Sequence, residues 1–264
     1  MQTGISTASL FGRFYTEDAL SFLSKNGVKT AEVFLESFSE YNKAFGEFLA
    51  TKKGNTEIHS IHTLTTQFES TLYSLNDRAL KDSFDMLENT MQAAEALNAK
   101  YYTFHGLARV KRTPYHIDFE RVGKLTQRII DVCASHGVTL AYENVHWAYY
   151  NYIGFFTELK KRVTGLKGTF DIKQARPAGI DYNEFIDEMG ADIVTAHLSD
   201  INDEEKMCLP GRGRVNFKDL FMRLRDKGFN GALILEVYTN DFNETSELFD
   251  SLDFITDLAN EVFK

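Results

Sequence analysis

The sequence is poor in cysteine and proline, with two cysteines and three prolines among 264 residues. Cys133 and Cys208 are too few and too far apart for a disulfide framework or a thiolate metal site, so we expect a reducing, cytoplasmic environment. Pro114, Pro177 and Pro210 all fall in segments that follow predicted strands, which are the loops that form the active face of a barrel.

Basic charge and long apolar segments are also scarce. The chain has 29 Lys and Arg against 38 Asp and Glu, a formal net charge of −9 that would repel a polyanion, so we expect no nucleic-acid partner. The longest uncharged run, 144–157, is too short and too polar to span a bilayer. The first residues lack the basic-then-apolar pattern of a signal peptide, and we expect no membrane association.

Eight apolar, β-prone runs alternate with helical patterns along the whole chain. With 43% hydrophobic and 25% charged residues, the composition is ordinary for a globular protein. Such alternation predicts parallel strands with crossover helices, and eight units favour closure into an α/β fold of the (β/α)8 TIM barrel type, with 1–264 as a single domain. The strands are predicted near 2–7, 30–35, 57–62, 101–105, 139–143, 166–171, 192–198 and 232–238, and the helices near 17–26, 39–53, 77–98, 118–136, 154–162, 182–189, 216–227 and 244–262.

Four residues that can bind a metal end predicted strands: Glu143, Asp171, His197 and Glu236. In a barrel this places one ligand per strand at the same end. A single strand-end carboxylate is often a helix cap or a salt-bridge partner. An ionisable group that closes an apolar strand costs desolvation, however, and a bound divalent cation is the simplest compensation for four of them. Carboxylates with one imidazole suit Mn²⁺, Zn²⁺, Co²⁺ or Mg²⁺.

The segments 142–144, 170–172, 196–200 and 235–237 resemble, in order, the strand ends of the xylose isomerase-like TIM barrel superfamily. That group includes sugar and sugar phosphate isomerases and epimerases, inositol-pathway enzymes, and the endonuclease IV-type nucleases of AP endonuclease family 2. The resemblance implies one divalent ion, Mn²⁺ or Zn²⁺ first and Mg²⁺ or Co²⁺ as alternatives, on the four strand-end residues. It also implies that Glu143 and Glu236 are catalytic and move protons.

The expected activity is therefore that of a divalent-metal-dependent isomerase or epimerase. Its substrate would be a small sugar, sugar phosphate or related polyol, converted by proton transfer through a metal-stabilised enediolate. A dehydratase using the same chemistry and a non-catalytic sugar-binding barrel remain alternatives. We expect a small-molecule, sugar-like substrate as the partner, and the helical faces of a barrel leave a homo-oligomer open.

Further residues are candidates for substrate binding. His62 and His105 match positions that bind additional zinc in the repair nucleases and line the substrate pocket in single-metal relatives. We favour pocket lining, with metal ligation or a hydrogen bond within the barrel as alternatives. The aromatic segment after Glu143 contributes His146 and Trp147, which suit either the C–H faces of a sugar or a dimer interface.

Two departures count against the nuclease pattern. Gln174 stands where that motif has histidine, and 205–211 contains no histidine, so a three-zinc cluster would lack ligands. The alternative hypothesis is therefore an endonuclease IV-like metal-dependent phosphodiesterase that acts on abasic DNA. Gln174 could instead donate a hydrogen bond to substrate. Arg212, in the turn 210–214, suggests an anionic or polyhydroxyl substrate unless it is simply solvated, and Lys173 and Arg176 could add positive charge nearby.

Overall fold

Eight parallel strands form a closed barrel in the computed structural model, which describes residues 1–64, 68–109 and 116–264. The last strand closes the ring by pairing with the first, Gln2 opposite Ala232 and Ile5 opposite Leu235. The predicted TIM barrel is thus confirmed, while Pro114 lies outside the described residues. The strands are β1 (Gln2–Ser6), β2 (Thr30–Leu35), β3 (Glu57–Thr63), β4 (Tyr101–Phe104), β5 (Thr139–Glu143), β6 (Lys167–Asp171), β7 (Ile193–Leu198) and β8 (Ala232–Leu235).

Helices surround the barrel and link successive strands. They are α1 (Thr16–Lys25), α2 (Lys43–Lys52), α3 (Asp77–Leu97), α4 (Phe119–Ser135), α5 (Phe155–Lys160), α6 (Ile172–Ala178), α7 (Tyr182–Met189), α8 (Phe217–Asp226) and α9 (Ser246–Val262). The short helix α6 was not predicted, because Pro177 near its end obscures the helical pattern. It begins directly after β6, with Asp171 as its N-cap.

Six of the helices, α2, α3, α4, α6, α7 and α8, form where an apolar stripe coincides with a polar cap. In α4, Val122, Ile129 and Cys133 lie on the buried face, and Asp118 caps the first turn by accepting the backbone N–H of Arg121. Asn, Asp and Ser at such positions satisfy backbone donors that would otherwise be unpaired, which contributes roughly 1 kcal/mol per helix. The buried stripes pack on the outer face of the sheet and form the main core.

The interior of the barrel is unusually polar for this fold, in which branched aliphatic layers are common. Glu32 lies at its centre, completely buried, and accepts hydrogen bonds from the hydroxyls of Ser6 (3.2 Å), Ser60 (2.7 Å) and Thr103 (2.8 Å). Three different strands therefore hold one carboxylate beneath the carboxyl ends of the sheet.

Both cysteines, Cys133 and Cys208, are buried free thiols in the described chain. In the same described residues, no helix combines the length and the apolar character needed to cross a membrane.

Candidate metal centre

The four predicted ligands converge at the carboxyl ends of β5 to β8. Nδ1 of His197 lies 3.4 Å from Oε1 of Glu143, 3.7 Å from Oδ2 of Asp171 and 3.5 Å from Oε2 of Glu236. All four side chains are buried. Parallel strands end at the same face of the barrel, so residues far apart in sequence become neighbours here.

These residues fit a divalent cation. Within the described part of the chain, Nδ1 of His197 and Oε2 of Glu236 are buried without a hydrogen-bond partner. Buried polar atoms are normally paired, and leaving one unpaired is costly. Glu143, Asp171 and His197 each offer a ligand atom, and these atoms lie within 4.8 Å of one another. Carboxylate oxygens with one imidazole nitrogen are a donor set suited to Mn²⁺ or Zn²⁺.

Glu32 orients the histidine of this cluster, although it was not predicted to be a site residue. One of its oxygens lies 3.1 Å from Nε2 of His197, which leaves Nδ1 on the side of the other carboxylates. A carboxylate behind a metal-binding histidine commonly fixes the ring orientation and its tautomer. Burial would raise the pKa of Glu32, but His197 and His62 hold it well below its usual range. A signal was present in the sequence, because Glu32 is a charged residue in the middle of an apolar strand.

The two candidate proton-transfer residues have opposite pKa shifts. Burial raises the pKa of Glu143 to about 7, and the neighbouring His105 and His197 reduce this effect without cancelling it. Burial also acts on Glu236, but the positive charges of His197 and Lys173 outweigh it and lower the pKa of this carboxyl. At neutral pH, Glu236 is therefore ionised, while Glu143 is close to its titration midpoint.

His105 connects Glu143 to a second buried carboxylate, Glu69. Nε2 of His105 lies 3.2 Å from Oε2 of Glu143, and Nδ1 lies 3.2 Å from Oε2 of Glu69. Glu69 also accepts the backbone N–H groups of His105 and Gly106. Burial lowers the pKa of His105, but Glu69 and Glu143 outweigh it and raise the value to about 9. Glu69 does not stand out in the sequence, because it lies in the short 3₁₀ segment Glu69–Tyr73 outside any strand.

His62 faces the cluster from β3. Its Nε2 lies 3.8 Å from Oε1 of Glu32 and 4.0 Å from Oε2 of Glu236, and burial lowers its pKa. Neither ring nitrogen has a hydrogen-bond partner among the described residues. Glu32, His62 and Glu236 form a second group of potential ligands, whose atoms also lie within 4.8 Å of one another.

A cavity of about 330 Å³ opens above the cluster. Of the predicted substrate-binding residues, His62, His105, Trp147 and Gln174 line it, together with the carboxylates of Glu143 and Glu236. Aromatic rings supply much of the remaining wall, a surface that suits the C–H faces of a sugar. These rings belong to Phe11, Phe34 and Tyr238, and Trp147 is a fourth aromatic residue of the cavity.

Two other predicted substrate-binding residues lie elsewhere. His146 lines an adjoining cavity of about 360 Å³ and contacts Gln174, with 2.6 Å between Nδ1 and Oε1. Arg212 is not among the described residues that line the cavity above the cluster, and its guanidinium pairs with Glu247. A role for Arg212 in substrate binding stays a prediction.

Lys173 lies directly against two of the candidate ligands, although the sequence predicted it only as a positive charge on a neighbouring loop. Its ammonium contacts Oδ2 of Asp171 and donates a hydrogen bond of 2.6 Å to Oε1 of Glu236. Arg176 lies further along α6. Its guanidinium pairs with Glu205, and Arg214 pairs with the same carboxylate. The sequence predicted positive charge in this region, but not a lysine within the cluster.

The protein is an eight-stranded barrel in which a buried cluster of carboxylates and one histidine lies at the carboxyl ends of the strands. These features define a class of TIM barrels with a candidate metal centre at that end. The chain belongs to the xylose isomerase-like TIM barrel family, whose model matches residues 20–258. A search of curated proteins finds no match.

Several solved structures share this fold over the whole length of both chains. A D-tagatose 3-epimerase-like protein has a TM-score of 0.80 at 17% identity, with 100% of each chain covered. The IOLI protein, solved with a binding zinc atom, has a TM-score of 0.81 at 16% identity, also with 100% of each chain covered. D-psicose 3-epimerase with D-tagatose, from Clostridium cellulolyticum H10, has a TM-score of 0.77 at 16% identity and the same coverage. At such identities the similarity shows the fold alone.

Proposed function

We propose that this protein is a divalent-metal-dependent isomerase or epimerase of a small sugar, sugar phosphate or related polyol. The observation that carries the proposal is the convergence of Glu143, Asp171 and Glu236 on Nδ1 of His197, at the base of a cavity with aromatic walls. Membership of the xylose isomerase-like family supports it, because structures with this fold include sugar 3-epimerases.

Glu143, Asp171, His197 and Glu236 would hold one divalent ion. When bound, such an ion would polarise a substrate carbonyl and its neighbouring hydroxyl and stabilise the negative charge that develops on them. Glu32 would keep Nδ1 of His197 available by holding Nε2 at 3.1 Å.

The two glutamates would move the proton. Glu236, ionised at neutral pH, would remove the proton from the carbon next to the carbonyl and produce an enediolate. Glu143, whose carboxyl is harder to ionise because of burial, would supply a proton to the opposite face, and the reverse reaction would exchange the two roles. Two carboxyls whose environments shift their pKa values in opposite directions are typical of an acid–base pair.

The cavity would orient the substrate. His62, with both ring nitrogens free of hydrogen bonds in the described chain, could bond a substrate oxygen, and Gln174 lines the same wall. Trp147 packs beside His105 with 5.7 Å between the ring centroids, which limits the access of water to Glu143. Exclusion of water strengthens the electrostatic interactions of a reacting site.

The test combines metal content with proton exchange. Purified protein should contain about one divalent ion per chain, and a panel of ketoses in D₂O should include one that acquires deuterium at the carbon next to the carbonyl. Glu236→Gln should abolish the exchange, whereas Glu57→Gln, an exposed glutamate at the start of β3, should leave it unchanged. Metal-loaded protein that exchanges no proton in any ketose, aldose or inositol-type ketone would refute the proposal.

The second cluster, formed by Glu32, His62 and Glu236, is the one observation that favours a multi-metal phosphodiesterase. Glu32, however, is already occupied by three hydroxyl donors and His197, and the net charge of −9 opposes DNA binding. Two or three ions per chain together with cleavage of an abasic duplex would reverse the order of the two functions.

A further inference from the structure

Lys173 places a positive charge directly on two of the candidate ligands. It contacts Oδ2 of Asp171 and donates to Oε1 of Glu236 at 2.6 Å, and only 6% of its side chain is exposed. The chain therefore brings its own cation into the cluster.

This cation balances an otherwise unfavourable set of charges. The carboxylates of Glu32, Glu143, Asp171 and Glu236 are buried close together, and buried like charges disfavour one another's ionised forms. His197, the ammonium of Lys173 and a metal ion can each offset part of this repulsion. A buried charge left without a partner is strongly destabilising, so loss of one of these cations has a cost unless another replaces it.

The ammonium and a metal would need the same oxygen atom of Asp171, whereas on Glu236 the lysine uses Oε1 and leaves Oε2 facing His197. Oδ2 of Asp171, which contacts Lys173, is also the oxygen that faces Nδ1 of His197. The other oxygen of Asp171 is already used, since Oδ1 accepts the backbone N–H groups of Lys173 and Gln174 at the start of α6. Two cations on one carboxylate oxygen repel each other, so occupancy by one disfavours the other.

Lys173 has space into which it could withdraw. Besides the cavity above the cluster, the lysine lines neighbouring cavities of about 190 Å³ and about 360 Å³. Its four-carbon stem is flexible, and its ammonium is a compact charge with rotatable donors. Ser199 in the smaller cavity carries a buried hydroxyl that lacks a partner in the described chain and could accept a hydrogen bond from the displaced ammonium.

We propose that Lys173 is an internal counter-ion, which occupies Oδ2 of Asp171 and Oε1 of Glu236 until a divalent ion that needs Oδ2 of Asp171 displaces it into the neighbouring cavities. This inference rests on the proposed function, since it requires a metal at the same residues. The ion then binds only those molecules in which the lysine has withdrawn, and the apparent affinity is reduced by the fraction of such molecules.

The experiment is a calorimetric titration of the metal-free protein with Mn²⁺ alone. Lys173→Met keeps the length of the stem without its charge, and it should bind Mn²⁺ roughly 10–100-fold more tightly if the withdrawn state has a population of about 1–10%. Lys173→Arg keeps a cation and should stay within a few-fold of the wild type. Lys167→Met is the matched control, because Lys167 begins β6, the strand that ends at Asp171, and pairs with Asp192 at the opposite end of the barrel.

The outcomes separate this inference from the proposed function. Equal affinities, or weaker binding by Lys173→Met, would refute the role of Lys173 as a counter-ion. The proposed metal centre would not be contradicted by that result. Binding by Lys173→Met but not by the wild type would support the role of Lys173 as a counter-ion. It would also show that the natural protein does not hold a divalent ion at these residues. No binding by either would defeat both proposals.

A second measurement tests the same inference if Lys173→Met is too unstable without metal for calorimetry. Lys173→Met is purified with Mn²⁺, treated with chelator and heated with and without added Mn²⁺. The rise in unfolding temperature on metal addition should exceed that of the wild type, and a smaller rise would overturn the counter-ion.

Discussion

The two ends of the barrel use charge differently. At the end where the strands begin, Lys100 pairs with Glu57 and Lys167 pairs with Asp192, all with part of their side chains in solvent. At the end where the strands finish, five carboxylates, three histidines and a lysine are buried close together, and several of these side chains line one cavity. Exposed pairs contribute little to stability, whereas buried charges are costly, so the second arrangement is the one that needs a functional explanation.

The largest difference between the two ends should appear in catalysis. Glu143→Gln removes the group proposed to donate the proton, and we expect turnover to fall roughly 10²–10⁴-fold. Asp192→Asn, directly before β7, should leave turnover within a few-fold of the wild type. Initial rates on whichever ketose exchanges deuterium would measure both, and equal losses would show that the two ends do not differ in function.

The next effect concerns the support beneath the proposed metal site. Glu32→Gln keeps the shape of the side chain but weakens its hold on Nε2 of His197, and we expect Mn²⁺ affinity to fall roughly 10–100-fold. Calorimetric titration measures the change, with Glu57→Gln as the control at the other end. An unchanged affinity would mean that His197 is oriented without its buried partner.

A buried histidine near the beginning of the strands predicts an effect of pH on stability. Nε2 of His59 lies 3.1 Å from the carbonyl oxygen of Val194, and burial lowers the pKa of His59 from 6.5 to about 4. Because the folded pKa is depressed, the stabilisation is complete above pH 6.5 and is lost as the pH falls toward 4.

The free energy of unfolding in urea should therefore decrease less for His59→Gln than for the wild type between pH 7 and pH 4. A shift of this size corresponds to at most roughly 3 kcal/mol. Both proteins are compared in the same chelating buffer, since the carboxylates of the opposite end also titrate in acid. Parallel decreases would exclude His59 as a source of acid sensitivity.

The smallest effect should come from the exposed pair of Lys100 and Glu57. Lys100→Met should reduce the free energy of unfolding by less than about 1 kcal/mol, and added salt should shrink the difference further. Urea unfolding at two salt concentrations measures this. A larger cost would mean that the exposed pairs hold the barrel together more firmly than surface charges usually do.

The strand positions could be predicted because each strand is a short apolar run bounded by turn residues. The same runs revealed the strand-end residues, since Glu143, Asp171 and Glu236 interrupt an apolar pattern with charge. Most strand boundaries agree within one residue, and the largest difference among them is in the last strand, which was predicted to reach residue 238 but ends at Leu235, so Glu236 lies just beyond it. Val237, an apolar residue after the strand, lines the cavity instead of extending the hydrogen-bonded pairing of the strand.

Other residues of the site could not be predicted from local pattern. Lys173 follows a strand as a loop lysine would, and only the turn into α6 directs its ammonium back onto Asp171 and Glu236. Glu69 reaches His105 from a segment 36 positions earlier in the chain. These contacts depend on how the loops close over the barrel, which is a property of the whole fold.

The position of Lys173 has a consequence for the response of the protein to its medium. A dissolved counter-ion is diluted by dialysis and exchanged by buffer, but a tethered ammonium has a fixed effective concentration at the carboxylates. The metal concentration at which the centre fills would then be set by the length and flexibility of one side chain. It should vary little with monovalent salt, and a single substitution could retune it.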